Sequence, residues 1–224
     1  MRENMIYSYS KLADFKKCPR FFEAAHILKI VSRETMPALV KGRTIHKELE
    51  KALADREVLP PKGLQINGAI WYELIRAGAL PEVRLAVDKN FRDCDYFASD
   101  VYLRGIIDVL VRSNERILCL DWKSGKPGYT DVLQAQVYAA MLYAAREIEK
   151  ISFVYAYVCY GLQDHVVVNG KQAIEDVKKL IETIENTEEF LPAPGFFCRY
   201  CNVQDCEYYK GRRKRKKLNL HKVR

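Results

Sequence analysis

The stretch YLRGIIDVLVRSNERILCLDWKSGKPGYTDVLQAQVYAAMLY (residues 102–143) decides how this chain folds. Two apolar runs, Ile106–Val111 and Ile117–Leu120, flank the polar string Arg112-Ser113-Asn114-Glu115-Arg116, the pattern of a β-hairpin with a short connection. Each run carries one carboxylate, Asp108 in the first and Asp121 at the end of the second. Lys123 follows Asp121 by two residues, and strand alternation puts both side chains on one face. A charge inside an Ile/Val/Leu strand is costly unless it is paired or bound to a metal. Two carboxylates and an ammonium at one strand end therefore predict a divalent metal site beside a lysine that handles protons or stabilises charge.

Working outward, Ser124–Tyr129 is a loop leading to a helix that starts near Thr130 or Asp131. Gln134 and Tyr138 are four apart and share a face of it. Upstream, MPALVKGRTIHKELEKALADRE (36–57) predicts an amphipathic helix with Val40, Thr44, Leu49 and Leu53 near helical spacing. His46 lies on this helix four residues from Gly42 and from Glu50; the residues alone leave it as a ligand or as an ordinary helical histidine. Residues 7–30 predict helix, break, helix, with Ser8 or Ser10 as a cap and Pro19 in a first turn. A further helix is expected over 65–79, ending near Gly78. Glu82–Val87 alternates as a strand, and Glu82 is either a site acid or an exposed edge charge. Residues 151–160 and 164–168 predict two more strands joined through Gly161–Gln163, and Lys171–Glu188 a charged helix. His165 is expected to be structural.

At 224 residues with 49% apolar residues, the default is one domain with a real core. The expected division is a single domain over 1–209, with a helical cap at about 7–80 and a core at about 81–190. A basic tail, 210–224, follows. The net charge is +8, but nine Lys/Arg and no acids lie from Lys210 onward, so residues 1–209 sum to −1. Lys210, Arg212, Arg213, Lys214, Arg215, Lys216 and Lys217 predict salt-sensitive phosphate affinity, unless the tail only aids solubility. No stretch matches a membrane span and MRENMIYSYS has no signal-peptide core. The expectation is a soluble, intracellular, cytoplasmic protein (host cytoplasm if phage-encoded) without a membrane partner.

Seven cysteines without an export signal argue against disulfides. Cys119 and Cys159 read as small core residues. Cys198, Cys201 and Cys206, in FFCRYCNVQDCEYY, form C-x-x-C-x-x-x-x-C, which predicts metal or cluster binding. A fourth donor is needed for zinc or for 4Fe–4S, and Cys18 is the candidate.

The order GIID (105–108), LDWK (120–123) and QAQVY (134–138) resembles the PD-(D/E)xK nuclease superfamily, and more narrowly its RecB-type branch, with G-x-x-D, D-x-K and then Q-x-x-x-Y. G-x-x-x-H-x-x-x-E around His46 and the opening S-x-S-x-L…F…CP are similar to the same branch. The resemblance implies a central mixed β-sheet flanked by helices, the restriction-endonuclease-like α/β core, with an N-terminal helical cap. It implies that His46, Asp108, Asp121 and the Trp122 carbonyl bind Mg²⁺ or Mn²⁺, with Lys123, Gln134 and Tyr138 completing the catalytic set. It also implies a metal-dependent DNA exonuclease of recombination, repair or phage DNA processing, acting on DNA that is single-stranded or has ends, with a recombination or helicase partner. A catalytically silent DNA-binding or interaction module is the alternative. Cys18 with Cys198, Cys201 and Cys206 is similar to the 4Fe–4S clasp of AddB-type and CRISPR-associated relatives. The family commonly has five residues between the last two cysteines where this chain has four, leaving zinc or an empty thiol site as alternatives.

Overall fold

Five extended segments build one mixed sheet. The computed structural model describes residues 5–31, 37–112, 117–128 and 131–210. Its α-helices are α1 (Tyr9–Lys17), α2 (Pro19–Phe22), α3 (Pro37–Ala54), α4 (Gly68–Arg76), α5 (Val132–Arg146) and α6 (Gly170–Asn186), and its strands β1 (Leu80–Val87), β2 (Leu103–Arg112), β3 (Ile117–Lys123), β4 (Lys150–Tyr157) and β5 (Leu162–Asn169). They lie side by side in chain order, antiparallel except for the parallel β3–β4 pair. Parallel neighbours need a crossover, and α5 (Val132–Arg146) provides it, with the Asp131 carboxylate capping the Gln134 N–H. This is the α/β architecture expected from the sequence.

By contacts the chain forms two compact units, Met1–Ala13 with Arg33–Thr187, and Asp14–Ser32 with Glu188–Arg224. The second unit has an apolar cluster of its own. That cluster gathers Cys18, Phe21, Ala24 and Val203.

Within the sheet-bearing unit, β4 shows how the layers form. Its Phe153 stacks on Tyr138 of α5, with ring centroids 5.9 Å apart. Val154 and Ala156, at alternate positions, pack instead against a cluster built by α3 (Pro37–Ala54) and α4 (Gly68–Arg76) with Leu120 and Trp122 of β3. Helix α6 (Gly170–Asn186) buries Ala173, Val177, Ile181 and Ile184. The buried stripe of α3 is Ile45, Leu49, Ala52 and Leu53, whereas Val40 and Thr44 are exposed. Val40 is nine residues from Leu49, half a rotation around the helix, so the predicted face was partly the wrong one. Helix α4 starts three residues later than expected, at an Asn67 cap. The β4–β5 turn falls at 158–161, just before the predicted connection.

Gly105 marks where β2 meets α5. A methyl group there would stand 2.7 Å from Tyr138 Cε1 and 3.1 Å from Met141 Cε. Tyr138 has little room to retreat, because its ring stacks on Phe153 and its hydroxyl donates to the Ile106 carbonyl at 2.7 Å. Gly105→Ala is expected to destabilise the protein by about 1–3 kcal/mol. Urea unfolding would show it as a lower midpoint at unchanged slope.

Candidate active site

The site forms where the hairpin opens. The β2–β3 ladder runs from Arg112↔Ile117 to Val109↔Leu120 and stops; Asp108 and Asp121 are the next residues on each strand. Beyond the ladder the Trp122 N–H donates to Asp108 Oδ2 at 2.7 Å. The β1–β2 ladder skips the same position: Pro81↔Val109 and Val83↔Ile107 pair, leaving Glu82 opposite Asp108. Glu82 has φ +49°, a left-handed conformation that a residue with a Cβ holds only when its surroundings impose it. Of the two readings of Glu82, this geometry fits the site acid.

Two helices also bring side chains to this point. Helix α3 presents His46, whose Nδ1 lies 3.3 Å from Asp108 Oδ1. Gly42, one turn earlier, faces Ser124, where an added Cβ would come within 3.3 Å of Oγ. Helix α5 presents Gln134, which accepts from Lys123 Nζ at 2.8 Å through Oε1 and donates to Asp121 Oδ1 through Nε2 at 2.5 Å. Lys123 Nζ lies 2.7 Å from Asp121 Oδ2, an ion pair without regular hydrogen-bond geometry at that buried oxygen. His46, Asp121, Trp122, Lys123 and Gln134 line a cleft of about 530 Å³ together with Arg43, Lys47, Glu50, Glu82, Ser124 and Gly125, and Asp108 stands behind His46.

The electrostatics are those of a site short of positive charge. Burial, with the Asp108 carboxylate adding to it, pushes the Asp121 carboxyl up to about 6, against the pull of Lys123 and His46. Burial works against a charged His46. Asp108, Asp121 and the Trp122 backbone outweigh it, so the imidazole sits above its ordinary pKa. Burial and the charges of Asp108 and Glu50 raise the Glu82 carboxyl, opposed by His46 and Arg84. Carboxylates, an imidazole and a main-chain carbonyl are a hard O/N donor set suited to Mg²⁺ or Mn²⁺. The buried, charge-poor Asp121 oxygen fits such an ion. Among the described residues no three His, Cys, Asp or Glu side chains already stand in metal-binding geometry. Here the would-be ligands pair with one another.

Tyr138 lies one turn beyond Gln134, within reach of its side chain, and its hydroxyl donates to the β2 backbone at Ile106, two residues before Asp108. Two tyrosines near Lys123, Tyr155 and Tyr9, carry no signal in the sequence reading. Tyr155, opposite Asp121 in the β3–β4 register, lies under Lys123 Nζ with its ring centroid 5.3 Å away. Its hydroxyl donates to the Asp131 carbonyl at 2.5 Å, and Tyr9 donates to the Asp131 carboxylate. Only the β4 register, invisible without the sheet, could have identified Tyr155.

The other unit gathers the cysteines. Cys18, Cys198, Cys201 and Cys206 line one small cavity with Phe21, Phe197 and Val203, and all four thiols are free. Cys18 Sγ accepts from the Ala193 N–H and Cys198 Sγ from the Gly195 N–H, both at 3.4 Å. Burial raises the Cys201 thiol, and the three neighbouring sulfurs add to this. Elsewhere Cys119 is fully buried, as expected, while Cys159 is only half-buried. Lys210 is exposed; Arg212, Arg213, Lys214, Arg215, Lys216 and Lys217 lie outside the described residues, as do 113–116 of the hairpin connection. Among the described residues no helix is long and apolar enough to cross a membrane.

Two comparisons with known proteins match this architecture. The family model of the PD-(D/E)XK nuclease superfamily matches residues 6–206. Among solved structures, the crystal structure of SSO0001 aligns with a TM-score of 0.54 at 18% identity, covering 90% of this chain and 84% of that one. At that identity the likeness is one of fold.

Proposed function

The chain belongs to the PD-(D/E)XK nuclease superfamily, and on that premise we propose that it is a Mg²⁺- or Mn²⁺-dependent deoxyribonuclease of the RecB-type branch. The observation that carries this reading is the Asp121–Lys123–Gln134 constellation sharing one cleft with His46, which pairs with Asp108. His46, Asp108, Asp121 and the Trp122 carbonyl would hold the metal. A divalent ion in this position supplies Lewis acidity toward the scissile phosphate and lowers the pKa of a bound water.

The chain's own residues divide the remaining work. Gln134 and Asp121 fix the Lys123 ammonium from two sides while the Tyr155 ring supports it. Held in this way, Lys123 orients the attacking water and stabilises charge growing on the phosphorus-bound oxygens. Arg43 and Lys47 on the cleft wall meet the flanking phosphates. We assign the activity to exonucleolytic DNA processing in recombination, repair or phage replication. Cleavage of labelled DNA that stops on chelation and returns with Mg²⁺ or Mn²⁺ tests the reading; cleavage indifferent to EDTA would overturn it.

We further propose that the four cysteines hold a 4Fe–4S cluster. Support comes from four free thiols around one cavity, two of them already accepting backbone N–H bonds of the kind that tune cluster sulfurs. Anaerobically purified protein is expected to absorb broadly in the visible, and Cys201→Ser to lose that absorption. A colourless protein containing one zinc would assign the site to zinc instead.

A further inference from the structure

Beside the cleft, the loop between β1 and β2 stacks two arginines on two aromatic rings. The guanidinium groups of Arg104 and Arg84 both lie over the Tyr96 ring, with Cζ 5.0 and 5.7 Å from its centroid. Arg84 Cζ is also 5.4 Å from the Phe97 ring, and the two rings meet edge-on at 5.1 Å. Neither guanidinium makes a salt bridge among the described residues. Phe97 is 70% exposed, so most of its ring is open to a planar ligand. The loop is fixed before any ligand arrives. Asp95 Oδ1 accepts the Phe97 N–H, Asp88 Oδ1 accepts the Asn90 and Arg92 N–H groups (all 2.8 Å), and Val87 bridges to Asp93.

This cluster adjoins the catalytic cleft. Arg84 is two residues from Glu82, which lines the cleft, and its charge reaches that carboxyl. Arg104 is four residues before Asp108 on β2, roughly 13 Å along the strand, or a few nucleotides from the reacting phosphate.

We propose that Arg84, Tyr96, Phe97 and Arg104 form a platform for an unpaired nucleic-acid strand, with Phe97 stacking on a base and both arginines holding phosphates beside the scissile one. An exposed ring on a fixed loop, beside strand arginines that make no salt bridge among the described residues, supplies the recurring elements of single-strand recognition. Unlike a purely basic surface, this one engages bases and so requires them to be splayed. The proposal rests on the nuclease reading, and its residues bind rather than react.

The test is fluorescence anisotropy of a labelled oligo-dT with Mg²⁺, in a Lys123→Met background that retains the DNA. Phe97→Ala is expected to weaken binding roughly tenfold, and Phe97→Trp to restore it. Arg84→Gln with Arg104→Gln should flatten the log Kd against log salt slope by about 1.4, the loss of two phosphate contacts on a single strand. A purely structural role would leave that slope unmoved. Variants that melt like the parent yet keep its affinity and slope would overturn the platform, and so would an equal loss on a blunt duplex. Separately, the wild-type protein should hydrolyse bis-p-nitrophenyl phosphate, which has no neighbouring nucleotide to reach the loop. Failure there would count against the nuclease reading, whereas hydrolysis with unchanged DNA affinity in the variants would count against the platform alone.

Discussion

Asp121→Asn is expected to lower metal-dependent DNA cleavage by about three orders of magnitude while making the metal-free protein more stable. The two effects have one origin. Burial and the facing Asp108 hold the Asp121 carboxyl up at about 6, above its ordinary value of 3.8. The unfolded chain therefore gives up this proton first as pH rises. The folded state loses relative stability between about pH 4 and 6 and stays lower above that range. At about 1.4 kcal/mol per unit the ceiling is about 3 kcal/mol, and relaxation around the buried pair reduces it to about 1–2 kcal/mol. Asparagine removes the ionisation, so melting in EDTA should show the variant more stable at pH 7.5 and level with wild type near pH 4. A variant less stable than wild type at pH 7.5 would contradict this view of the site as one built for a missing positive charge.

Trp71→Ala is expected to cost about 3–5 kcal/mol and to impair the site without touching it. Trp71 is fully buried, packs on Trp122 with centroids 6.4 Å apart, and donates from Nε1 to the Glu57 carbonyl at 2.8 Å. Trp122 is the residue whose backbone N–H anchors Asp108. Truncation opens a cavity beneath that anchor, so urea unfolding should shift strongly. Cleavage measured where the variant is still folded should fall mainly in kcat. Trp71→Phe, which keeps most of the contact, should lose less on both counts. A destabilised variant with intact kcat would show that Asp108 is held without help from this core.

Much of the fold was legible because β2, β3 and α5 each carry a local pattern in agreement with the final packing. The Ile106–Val111 and Ile117–Leu120 runs became strands, and Asp131 caps the helix where the sequence placed its start. The α3 face was misread because Val40 is apolar yet half a rotation from the buried stripe, and Ile45 was passed over. Lys123, Asp121 and Gln134 could be placed because alternation and helix spacing fix relative directions over a few residues. What escaped depended on sheet register. Tyr155 beside Lys123, Glu82 opposite Asp108 at a positive φ, and Arg84 and Arg104 over Tyr96 are set by strand pairing and by a loop return. No spacing along the chain encodes these.

The most direct measurement is degradation of end-labelled DNA by wild type beside Lys123→Met, each with Mg²⁺ and with EDTA. Lys123→Met preserves the side-chain length while removing the ammonium that Gln134 and Asp121 hold. Wild type should cut only with metal, and the variant should bind DNA but leave it intact in both conditions. Equal cleavage by the two proteins would show that the chemistry does not run through this lysine.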